Sequence, residues 1–86
     1  MKRKMLPLTD ILESIIRIET YTNGVDYDTF LSSQMMIDAV IRNLEVIGEA
    51  AGKVPIEIRN KYPAIPWRKM ISLRNVLIHE YFCVDE

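Results

Sequence analysis

The chain has 86 residues, 49% of them hydrophobic, with a formal net charge of −1 and one cysteine. That length fits one small domain spanning 1–86, and a domain so small buries a modest share of its surface, so a dimer is the default expectation. Lone Cys83 and lone His79 exclude an internal disulfide, a cysteine-held metal cluster and a histidine-rich metal site within one chain.

The basic opening, Met1-Lys2-Arg3-Lys4-Met5, has no apolar signal core behind it, because Pro7, Thr9 and Asp10 arrive too soon. No apolar run reaches the length needed to span a bilayer, so the expected location is the cytoplasm. The first periodic segment covers residues 8–22. Leu8, Ile11, Leu12, Ile15, Ile18 and Tyr21 repeat at the three-four spacing of one helical face. Asn23-Gly24 ends it, since both residues tolerate positive φ.

Asp26 is placed to cap one or two short turns through Phe30 and Leu31. Ser32 or Ser33 then caps the longest helix, whose apolar stripe is Ile37, Val40, Ile41, Leu44, Ile47, Gly48 and Ala51. The small residues Gly48 and Ala51 suit close approach by a neighbouring helix. Pro55 fits the start of a short helix over 56–61. Pro63 and Pro66 interrupt it, and Pro66 opens a last helix running to about residue 82. Nothing alternates with period two. The expected fold is all-α, an antiparallel bundle of three main helices with short helical turns between them.

Charge is unevenly spread. Residues 8–50 hold two basic residues against eight acidic ones, whereas residues 53–79 hold six basic residues against Glu57 alone. An anionic partner would be drawn to the second region, with Arg68 and Lys69 as candidates for contact with RNA.

The last helix carries Arg74-Asn75-Val76-Leu77-Ile78-His79-Glu80-Tyr81. Imidazole exchanges a proton near neutral pH, and arginine holds phosphate oxygens in a fork. These groups suit cleavage at an RNA phosphate, in which a base deprotonates the 2′-hydroxyl, arginine stabilises charge on phosphorus and an acid protonates the leaving oxygen. No metal or other cofactor is required. One histidine cannot serve as both base and acid, but two-fold symmetry in a homodimer supplies a second. Five residues along an α-helix turn about 140°, so Arg74 and His79 do not share a face, whereas Asn75 and His79 do. Arg74 must reach around the helix or meet the histidine of the other protomer.

Longer blocks of the sequence resemble the HepT-like group of HEPN domains, small helical proteins of bacteria and archaea. They include Asp10-Ile11-Leu12-Glu13 and the run from Asp38-Ala39-Val40-Ile41-Arg42-Asn43 through Leu44-Glu45-Val46-Ile47-Gly48-Glu49-Ala50-Ala51. Tyr62-Pro63, Ile65-Pro66-Trp67-Arg68 and Leu73-Arg74-Asn75-Val76-Leu77-Ile78-His79-Glu80-Tyr81-Phe82 complete them. The family's signature is Arg-x4–6-His, often extended to Arg-x4-His-x-Tyr, which Arg74, His79 and Tyr81 match. The resemblance implies a metal-independent ribonuclease, the toxin of a toxin–antitoxin pair of the HepT/MntA-like kind (type VII), with its site in the cleft of a homodimer. Arg74 and His79 are then catalytic, while Asn75, which shares a helical face with His79, is a supporting candidate. It also implies a minimal nucleotidyltransferase antitoxin that adds AMP to Tyr81. Family members often carry glycine where Cys83 stands. They also usually continue past Val84-Asp85 into a further helix, which is expected to be missing here. The alternative reading is a non-catalytic module that binds a nucleotide or a nucleotidyltransferase partner, with Arg74 recognising phosphate and nothing being cut. A purely structural dimerising bundle is a third.

Overall fold

The computed structural model describes residues 6–82; the basic opening, Cys83 and the residues after it lie outside the described residues. Helix α1 spans Leu6–Thr22. It takes Pro7 into its first turn, where a missing amide costs no helical hydrogen bond. Gly24 follows at φ 73°, the left-handed geometry that ends the helix. Asp26 then caps α2 (Tyr27–Leu31), accepting from the Thr29 amide at 2.8 Å. Ser33, rather than Ser32, caps α3 (Gln34–Lys53), accepting from the Met36 amide at 3.2 Å.

Pro55 precedes α4 (Ile56–Lys61), and the guanidinium of Arg59 turns back onto the end of α3. It donates to the carbonyls of Val54 at 3.0 Å and Gly52 at 3.1 Å, satisfying acceptors that a helix end leaves open. Arg59 therefore belongs to the fold, although charge alone counts it with the basic region. Pro66 leads into α5 (Trp67–Val76), and the Trp67 indole N–H donates to the Tyr62 carbonyl at 3.1 Å. Among the described residues there is no β-strand.

Helix α3 is the hub, packing against both α1 and α5. Ala51, Val54 and Trp67 form the buried core, with Leu8, Ile11, Ile58, Met70 and Ile71 packed around it. Gly48 marks the tightest crossing. A Cβ there would stand 2.4 Å from the Arg74 Cβ and 2.6 Å from the Met70 carbonyl oxygen, closer than such atoms approach. The small-residue reading of Gly48 thus identifies where α3 and α5 touch.

Two sequence expectations change. The periodic stripe of α1 is only half used: Leu8, Ile11 and Ile18 are partly covered, whereas Leu12, Ile15 and Tyr21 are exposed. The buried centre of that face is instead Ser14, with no accessible surface at all. The stripe is wider than the groove α3 offers, so one flank stays outside. The last helix is not uniform to residue 82. It changes after Val76 into a π turn, Leu77–Tyr81, closed by the Phe82 amide donating to the Leu77 carbonyl at 2.9 Å.

Candidate active site

Arg74 emerges from the α3–α5 crossing, pressed against Gly48. Its side chain is largely covered, and the guanidinium donates to Glu49 at 3.4 Å and to the Asn75 side-chain oxygen at 3.1 Å. Glu49 comes from α3 and Asn75 from α5, so both helices aim the charge. Arg74, Asn75, Glu49 and Lys53 line an open groove of about 320 Å³ together with Gly48, Gly52 and Ile71. A planar cation at the wall of such a groove suits an anion with paired oxygens.

His79 is exposed on the π turn and does not line that groove. The turn bears on the angular problem posed by the sequence. Hydrogen bonds from i to i+5 wind the chain more slowly than those of an α-helix, so His79 is rotated away from Arg74 by less than the α value of about 140°.

Tyr81 is partly exposed, and its hydroxyl is held by α3. It donates to Asp38 Oδ1 at 2.6 Å and accepts from Gln34 Nε2 at 3.0 Å, while Gln34 also donates to Asp38 at 2.8 Å. The Tyr81 ring packs edge-on against Phe82, with centroids 5.2 Å apart. The Tyr81 hydroxyl, and then Gln34, hold the Asp38 carboxyl below its ordinary 3.8. The same bond, with burial and the Asp38 charge added, raises the phenol above its ordinary 10.0. A lowered carboxylate contributes its stability above 3.8 and loses it as pH falls through the folded value. A raised phenol contributes below 10.0 and loses it as pH rises through its own folded value. The bond is therefore at full strength across the neutral range. Absorbance titration should find Tyr81 ionising at higher pH in the folded protein than in denaturant; coincident curves would rule the bond out.

Arg68 and Lys69 are exposed on another flank of α5. They line a larger groove of about 720 Å³ with Arg59, Ile65, Trp67 and Leu73. The structure does not bring them into the groove of Arg74. Asp38, Gln34 and Glu49 join the candidate set here, and spacing gives no means of finding them, because the bonds to Tyr81 and Arg74 form only through tertiary packing.

The family model for HepT-like ribonucleases, described as "Ribonuclease HepT-like", matches residues 11–86. The chain belongs to the HepT-like ribonuclease family. It is 46% identical over 78 residues to an RNase candidate of Methanocaldococcus jannaschii, covering 91% of this chain and 72% of that protein. A second M. jannaschii protein, named as a gamma-glutamylcyclotransferase and RNase candidate, is 49% identical over 91% of this chain and 35% of its own length. A protein of Thermococcus cleftensis whose name reads "Probable ribonuclease HepT" is 45% identical over 91% of this chain and 71% of its own. No solved structure matches the chain. In this HepT-like chain no helix among the described residues is long and apolar enough to cross a membrane.

Proposed function

We propose that this protein is a metal-independent endoribonuclease, the toxin of a toxin–antitoxin pair, with its active site shared between two protomers. One observation carries the reading. The family's arginine, Arg74, is aimed by Glu49 and Asn75 into a groove that His79 of the same protomer does not line. A second copy turned by a two-fold axis would bring a histidine to that groove and also pair two imidazoles. One would then take the proton from the RNA 2′-hydroxyl while the other gives a proton to the departing oxygen, with Arg74 neutralising charge on phosphorus.

Exposed apolar side chains support the dimer. Leu12, Ile15 and Ile16 on α1, and Leu73 and Val76 on α5, are all open in the single chain. In this reading Tyr81, two residues beyond His79, is the site at which a minimal nucleotidyltransferase antitoxin adds AMP, and the protein works in the cytoplasm. The test is cleavage of single-stranded RNA by purified protein in the presence of a chelator. The parent is expected to cut, and His79→Ala to lose the cut. Undiminished cutting by His79→Ala removes the histidine from the mechanism. RNA binding with no cutting by the parent favours a binding module instead.

A further inference from the structure

Among the described residues, the segment that carries His79 is held on both sides of the histidine. Ile78 is buried in the bundle. Three residues further on, the Tyr81 hydroxyl is locked between Asp38 and Gln34, which are themselves joined, so three side chains from α3 and the π turn close a small ring. Exposed His79 lies between these anchors and takes its position from the backbone they hold. A π turn is a less regular device than an α turn, and its persistence here depends on what fixes its ends.

We infer that Asp38 and Gln34 form a latch on Tyr81 that fixes the His79 turn, and that esterification of the Tyr81 hydroxyl opens it. The latch follows from geometry alone; its use as a switch rests on the adenylylation reading above. In that transfer the phenolic oxygen bonds to the α-phosphorus of ATP. The bond from that phosphorus to pyrophosphate breaks, and the phenolic proton leaves to water. The product oxygen has no hydrogen to donate to Asp38. The attached phosphodiester brings a negative charge beside the Asp38 carboxylate, so an attraction becomes a repulsion. Modification thus displaces His79 instead of only covering the groove.

Amide hydrogen exchange over residues 77–82, with RNA cleavage measured alongside, tests this. The proteins are the parent, Tyr81→Phe, Asp38→Ala, their double variant, and parent adenylylated at Tyr81 by a nucleotidyltransferase with ATP. Asp38 is exposed and phenylalanine keeps the ring, so both variants should fold. Each single variant is expected to exchange about threefold to tenfold faster, the ordinary net worth of a side-chain hydrogen bond at an exposed site. The double variant should be no faster than either single, and adenylylated protein at least as fast. Exchange at the parent rate in both singles, or multiplied effects in the double, overturns the latch. A turn that stays protected after adenylylation overturns the switch. A parent that cuts no RNA would sink the ribonuclease reading, while the exchange rates would still decide the latch.

Discussion

Gly48→Ala is expected to destabilise the protein by up to about 2 kcal/mol, even though alanine is the better helix former. The two effects oppose each other and their sizes decide the outcome. Replacing glycine inside α3 gains up to about 1 kcal/mol of helix propensity. The new methyl, however, would sit 2.4 Å from the Arg74 Cβ and 2.6 Å from a backbone oxygen of α5. Neither is the tip of a flexible side chain, so relief requires the helices to separate, and overpacking of this kind costs about 1–3 kcal/mol or more. Small domains lose about 4–8 °C of melting temperature per kcal/mol, which thermal unfolding resolves easily. Cleavage should fall further than the folded fraction does, because the methyl displaces the backbone that carries Arg74. A variant as stable as the parent would show that the helices do not approach so closely.

Gly48 also illustrates what kind of feature a sequence can disclose. A small residue on an apolar stripe has one common use, close helix contact, and the stripe itself says which side it faces. The caps Asp26 and Ser33, the stop at Gly24 and the openings at Pro55 and Pro66 were legible for a similar reason: each acts on amides or carbonyls within a few residues. The features that escaped are those decided across the fold. Gln34 and Asp38 lie one helical turn apart and look like any solvated polar flank, but their partner Tyr81 is more than forty residues away, at separations of 47 and 43. Arg59 looks like one more cation in a basic stretch until α3 ends beside it. The half of the α1 stripe that stays exposed has the right period; periodicity identifies an apolar face but not how much of it a neighbour can cover. The π turn changes the direction of the motif's histidine, and nothing in the run Leu77-Ile78-His79-Glu80-Tyr81 distinguishes it from an α-helix.

A dimer with one parental protomer and one His79→Ala protomer is expected to cut RNA about 10²- to 10⁴-fold more slowly than the parent dimer, the ordinary worth of one general acid or base. The size follows from the division of labour. If one imidazole takes a proton while the other gives one, removing either copy leaves the reaction with half of its proton-transfer machinery, and a single histidine cannot hold both protonation states at once. Independent sites predict something quite different, an activity near half that of the parent, because each intact protomer would continue alone. The two outcomes are separated by at least a factor of about fifty. Co-expression with two different tags and sequential capture would isolate the mixed dimer, and Arg74→Ala mixtures give a useful contrast. Arginine contributes charge, not a proton, so a mixed Arg74→Ala dimer still carries both imidazoles and should lose less than the mixed His79→Ala dimer. Equal halving in both mixtures would mean that symmetry contributes nothing to the chemistry and that Arg74 and His79 act, if they act, within one chain.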